Sequence, residues 1–225
     1  MAADSDTSGS SIRFPHGRLR TTGGYASGRA CPPLVARGVD AVPEPRTAVT
    51  AEGREILLRA AGPGDLPDAL ALHARCSERT LAGRYRASSP EADALLPHLL
   101  HPAMGRSVAA VTGEGDIVGL GHLLFDGEES EVALLVADDW QRRGIGSALL
   151  RRLIGLAVHA RHEAVYLVTG PANAAMAAVM RAVVNATGLP LERQTTDGSL
   201  VLSARLAPGG CQPQLPVVLP AQGGW

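Results

Sequence analysis

The stretch EVALLVADDWQRRGIGS, residues 131–147, is where this chain could hold an anion. An apolar run gives way to Asp138-Asp139-Trp140. Gln141-Arg142-Arg143-Gly144-Ile145-Gly146 follows, and then apolar residues recur at Ile145, Leu149, Leu153, Leu156 and Ala157, a helical stripe. A strand, a loop and a glycine-bearing helix start leave the helix's first N–H groups unpaired at the positive end of its dipole. That is a ready anion site. Gly144 and Gly146 let a phosphate come close to the backbone, and Arg142 and Arg143 add charge and donors. A P-loop is excluded, because it needs a lysine and all 21 basic residues here are arginine. A dinucleotide fingerprint needs glycine or alanine where Leu149 stands, and an acid ending the next strand. The remaining pattern, Gln/Arg-x-x-Gly-x-Gly/Ala, fits at every place.

Other reactive side chains are scattered. His73, His98, His101 and His122 lack ligand spacing, and Cys31, Cys76 and Cys211 form no CxxC, so no metal is implied. An odd cysteine count suits a reducing cytoplasm. No stretch approaches the roughly 18 apolar residues of a membrane span, and residues 1–11 lack the apolar core of a signal peptide. With a formal net charge of −1, nothing pulls the chain broadly toward nucleic acid or an anionic membrane. Self-association as a homodimer stays open.

The 225 residues suggest one domain with appendages. Residues 1–52, rich in Gly, Pro, Ser and Arg, are expected to be a disordered leader, and 207–225 a disordered Pro/Gly-rich tail. Between them, 53–206 reads as strand, two or three helices, three strands, helix, strand, helix and hairpin. Strands are expected at 55–59, 107–111, 117–125, 131–136, 164–169, 191–196 and 199–206. Helices are expected from Asp65, at 77–85, 91–100, 142–160 and 173–187. The order predicts an α/β fold with helices on both faces of the sheet.

This arrangement resembles the GNAT superfamily of N-acetyltransferases over about residues 54–206, most specifically at Gln141-Arg142-Arg143-Gly144-Ile145-Gly146. The resemblance implies a mixed, mostly antiparallel central sheet of about seven strands. It implies acetyl-CoA as co-substrate, its pyrophosphate seated on Arg142, Arg143, Gly144, Ile145, Gly146 and Ser147, in the motif that Gln141 opens. Main-chain groups of Leu134, Leu135 and Val136 would face the pantetheine amides and the acetyl carbonyl. Asn173 would lie near the cofactor arm, act as a plain N-cap, or both. Transfer would be direct, and Glu131 is the candidate general base that frees the amine's lone pair. The alternative for Glu131 is an exposed acid beside Glu128 and Glu129. Many relatives place a tyrosine seven residues after the asparagine as general acid; here Met180 stands there.

Ser77-Glu-Arg-Thr80-Leu-Ala-Gly-Arg84-Tyr85 and Asn173-Ala-Ala-Met176 are similar to stretches in bacterial protein-lysine acetyltransferases, some of which act on acetyl-CoA synthetase. The acceptor is therefore an amine, either a protein lysine or a small molecule. A non-catalytic acyl-CoA-sensing module is the alternative of another class. Arg79, Arg84 and Arg86 are expected on a solvated helix face, Tyr166 in the core, and His122 in the core or at the surface, with a place facing the acceptor as its alternative.

Overall fold

Near-continuous burial along residues 105–111 and 117–123 sets a single sheet with two apolar faces. The computed structural model describes residues 45–86, 88–196 and 198–206. The expected tail at 207–225, and the expected leader up to residue 44, lie outside them with Cys31 and Cys211. In chain order the elements are β1 (Arg46–Val49), β2 (Glu55–Ala61), α1 (Leu66–Ala74), α2 (Glu78–Tyr85), α3 (Ser89–Leu99), β3 (Gly105–Val111), β4 (Ile117–Asp126), β5 (Glu129–Val136), α4 (Ile145–His159), β6 (Ala164–Thr169), α5 (Ala174–Thr187), β7 (Leu191–Thr196) and β8 (Ser199–Arg205).

The strands lie in the order β1-β2-β3-β4-β5-β6-β8-β7. Only β5 and β6 run parallel; the other pairs are antiparallel. Among the described residues the sheet has eight strands where about seven were expected. The addition is β1, inside the stretch read as leader. It was hidden because it is four residues long, follows Pro43 and Pro45, and buries only Ala48.

Two apolar layers clamp the sheet. Leu149, Leu150, Leu153 and Ile154 of α4 pack with Met180, Val183 and Val184 of α5 against Val118, Leu123 and Val132. On the other face Leu72, Leu81 and Leu96 of α1 to α3 cover Ala109, Leu120 and Leu135. Each fully buried leucine contributes roughly 1.5–3 kcal/mol. Helix starts are fixed locally. Ser77 caps α2 by accepting from Thr80 N–H at 3.3 Å, and Ser88 with Glu91 forms a capping box on α3. Asp65 closes the turn before α1, accepting from Gly62 N–H at 2.8 Å and from Arg59 at 2.7 Å.

The pairing that matters most for function is incomplete. β5 and β6 share only the rungs Glu129↔Ala164, Ser130↔Val165 and Glu131↔Tyr166. Beyond them β5 stays with β4 as far as Val136, while β6 stays with β8 as far as Thr169. The sheet therefore splits into two arms.

Packing on the β3 to β4 side leaves no room for a side chain at Gly105, where a Cβ would lie 1.9 Å from the Leu123 carbonyl oxygen. Gly105→Ala is expected to cost roughly 3 kcal/mol or more, read as a drop in the urea midpoint with unchanged slope.

Candidate functional site

The gap between the two arms can be read from one hydrogen bond. Ala137 N–H donates to the Val118 carbonyl at 3.0 Å, which makes that residue pair a hydrogen-bonded one. By alternation Leu135, Ala133 and Glu131 also turn their N–H and C=O toward β4, whereas Leu134 and Val136 turn theirs away from it, into the gap. Of the three residues expected to offer main-chain groups there, Leu135 does not: its backbone faces the β4 ladder and its side chain is 2% exposed in the core. The Val136 carbonyl already accepts from Gln141 Nε2 at 3.0 Å. The groups that face the gap uncommitted by this register are Leu134 N–H and C=O and Val136 N–H.

Beside this gap α4 begins. Gly144 supplies its N-cap at φ +88°, a left-handed conformation that glycine adopts without steric cost, and no side chain caps the first turn. Ile145, Gly146 and Ser147 thus present the helix's leading N–H groups. The Ile145 side chain itself is buried in the core, so this residue can offer the site only its backbone. Arg142 holds φ +60°, uncommon for a non-glycine residue, with its side chain exposed. Arg143 differs from expectation. Its guanidinium pairs with Glu52 and lies 5.4 Å from the Trp140 ring centroid, so it braces the loop.

A polar network ties this loop to α2. Asp138 accepts from Ser77 N–H at 2.7 Å, Ser77 Oγ at 3.1 Å and Thr80 Oγ1 at 2.7 Å. Burial opposes the charge on Asp138, but these hydrogen bonds, from the Ser77 N–H and the two hydroxyls, outweigh it and hold the carboxyl below its ordinary range. Gln141 Nε2 donates to Thr80 Oγ1 at 3.3 Å as well as to Val136. Sequence reading took Ser77 and Thr80 for a clue to the acceptor and missed their tie to Asp138, since 58 to 61 residues separate the partners.

Across the gap Asn173 caps α5, its Oδ1 accepting from Met176 N–H at 3.1 Å. A Cβ built on Gly83 of α2 would lie 4.0 Å from Asn173 Nδ2, so α2 and the start of α5 approach each other there. Met180, at the place of the relatives' tyrosine, is 0% exposed in the α4-side core.

Glu131 forms the last rung shared with β6, half-buried and opposite Tyr166. Its side chain lies on the face of Leu135, the one that α1 to α3 cover further along β5. Asp126 and Glu129, paired directly across β4 and β5, share that face. Tyr166, expected in the core, is instead half-buried, and its hydroxyl donates to Asp126 at 3.0 Å. Burial, then the charges of Glu131 and Asp126, push its ionisation upward. Cys76 is kept inert, since burial and then Asp138 push its thiol up to about 11.

The arginines at α2 meet the expectation in part. Arg79 and Arg86 are exposed as read, and Arg86, just past the helix, donates to Ser199 Oγ at 2.8 Å. Arg84 is half-buried, stacks 4.5 Å from the Tyr85 ring centroid, and has its Nε and Nη2 sealed from solvent with no hydrogen-bond partner. Tyr85 is held in turn by His73 Nε2 at 2.9 Å, and His73 Nδ1 lies 2.6 Å from Asp93. His122 is fully buried. Ser107 spends its hydroxyl proton on the Leu99 carbonyl at 3.0 Å, so His122 Nδ1 donates to Ser107 Oγ at 2.8 Å. Its Nε2 lone pair is left without a partner.

The site is thus a split parallel pair beside a glycine-opened helix start that no side chain caps. The profile of the acetyltransferase (GNAT) family matches residues 69–183, just over half of the 225. The chain belongs to the GNAT acetyltransferase family. It is thus an acyltransferase. Solved GNAT structures share the fold. The GNAT domain of S. lividans PAT superposes with a TM-score of 0.62 at 22% identity, covering 72% of this chain and 97% of that one. Diaminobutyrate acetyltransferase from Paenibacillus lautus, solved with its substrate and coenzyme A, gives 0.52 at 19% identity, covering 68% and 96%. The Escherichia coli ribosomal-protein-S18-alanine N-acetyltransferase gives 0.51 at 18%, covering 68% and 95%. No curated protein matches the chain in sequence.

Burial first, then the charge of Arg84, pushes His122 from 6.5 down to about 3. Between those values the unfolded chain binds the proton and the folded one does not, so stability falls as pH falls. From pH 7 to pH 5 this histidine alone is expected to remove about 2 kcal/mol. Urea unfolding across that range should show a shallower loss in His122→Gln.

Proposed function

We propose that this GNAT domain moves the acetyl group of acetyl-CoA directly onto a primary amine, with a protein lysine as the acceptor. The observation that carries the reading is the gap after the Glu131↔Tyr166 rung, where Leu134 and Val136 turn main-chain groups toward the uncapped start of α4. The N–H groups of Ile145, Gly146 and Ser147, with Arg142, are assigned to the pyrophosphate. In this reading Gln141 and Arg143 belong to the site as braces of the loop that carries those donors. Asn173, opposite Gly83, is assigned to the cofactor arm.

In the transfer Glu131 takes the proton of the attacking ammonium, leaving a nitrogen lone pair. Val136 N–H faces the thioester oxygen as charge develops on it, a contribution of about 3 kcal/mol. With Met180 buried in the core, the leaving sulfur departs as thiolate. A cationic acceptor suits the acidic group of Asp126, Glu129 and Glu131 on one face. Among the fold neighbours, one is named for a ribosomal protein's alanine and another was solved with a diamino acid, so both acceptor classes occur on this fold. The similarity of residues 77–85 to lysine-modifying relatives favours the protein. Supply of acetyl-CoA makes the cytoplasm the proposed compartment.

Thiol release from acetyl-CoA against lysine peptides and small amines tests the acceptor. A rate with small amines alone would overturn the lysine assignment. Glu131→Gln is expected to lower kcat about 100-fold with unchanged CoA affinity by calorimetry. Gly144→Asp, or Arg142→Ala, should weaken CoA binding about tenfold or more, or roughly 1.4 kcal/mol. Unchanged affinity in both would remove the pyrophosphate assignment.

A further inference from the structure

The end of β5 and the first turn of α2 are joined by a directional chain of hydrogen bonds. The Gln141 amide gives one proton to the Val136 carbonyl at 3.0 Å and the other to Thr80 Oγ1 at 3.3 Å. Thr80 then gives its own proton to Asp138 at 2.7 Å, and Asp138 accepts the Ser77 N–H that opens α2, also at 2.7 Å. Thr80 Oγ1 both accepts from Gln141 and donates to Asp138, so it joins the strand end to the α2 start, and a hydroxyl is the smallest side-chain group able to do so.

Two consequences follow for the gap. The Val136 carbonyl points into it five residues past the last rung, and Gln141 spends that acceptor at the strand end. The same amide, through Thr80 and Asp138, sets the height of α2 over the sheet. One turn further along α2, Arg84 lies close enough to His122 for its charge to act there, and Arg86 reaches Ser199 on β8. The helix that borders the Glu131 face is thereby tied to the strand end that borders the gap.

We propose that Thr80, with Asp138 and Gln141, is a positioning residue that couples the cofactor gap to the acceptor side of the site. It touches neither substrate. This rests on the acetyl-transfer reading above.

Thr80→Val keeps the shape and removes the bonds to Asp138 and Gln141 at once, together with the one accepted from Ser77 Oγ at 3.2 Å. The full chain is assayed for CoA affinity by calorimetry and for acceptor KM at low and saturating acetyl-CoA. In the unmodified protein the acceptor KM should fall as acetyl-CoA rises. In Thr80→Val both constants should weaken about fivefold, the scale of one lost hydrogen bond, and the acceptor KM should no longer respond to acetyl-CoA. Thr80→Ser, which restores the hydroxyl, should recover both. A purely structural role would lower the unfolding midpoint and leave the two constants of the folded protein unchanged, and that result overturns the coupling. If Thr80→Val does not fold, Gln141→Met is read in the same way, since it breaks the chain at the other end. If the unmodified chain binds no CoA and releases no thiol, the acetyl-transfer reading fails and the coupling falls with it. If it does both while Thr80→Val matches it, only the coupling falls.

Discussion

The functional architecture depends on a hydrogen-bond ladder that stops early. Parallel strands ordinarily pair along their length, since unpaired backbone groups in an interior are costly. Here β5 and β6 part after Glu131↔Tyr166, and each finds partners elsewhere. β4 takes one edge of β5 and β8 takes the far edge of β6. Gln141 meets the Val136 carbonyl. What remains at the mouth is a short set of main-chain donors and acceptors. The helix start beside it, opened by Gly144 and without a side-chain cap, extends the same incompleteness. In the proposed function recognition falls to backbone groups, placed by strand register and helix position.

That is why so much of the fold was legible in the sequence and only part of the site. The helical stripe from Ile145 to Ala157 and the short-period runs in the strands are local signals, and each became the expected element. Gln141 to Gly146 was visible because a tight turn demands particular residue types in consecutive places. Main-chain direction leaves no such trace. Whether Leu134, Leu135 or Val136 faces the gap depends on β4 register, and one residue's slip would exchange them. Edge strand β1 was missed because so short a segment with one buried residue carries almost no periodicity.

The polar residues taught the reverse lesson. Arg143, Gln141 and Thr80 sit at positions where composition suggests ligand contact, yet their side chains hold Glu52, Val136 and Asp138. Tyr166 carries an apolar ring in a strand and reads as core, but its hydroxyl needs a partner, and Asp126 supplies one at the sheet face beside Glu131. Such partners lie far away in sequence. Only the folded backbone shows whether a polar side chain is spent on the scaffold or kept for chemistry.

Arg84 bears on how this enzyme breathes. A desolvated guanidinium with two bare nitrogens is a costly way to seat a helix, and well-packed apolar residues often do better than buried charge. α2 compounds this by fully burying only Leu81, against seven residues in α4. Local opening follows the weakest packing. Amide exchange should therefore run fastest in α2 among the long elements, with the strands beneath it still protected. The helix whose first turn holds Asp138 is the one the core grips most lightly, a loose seat on a rigid floor.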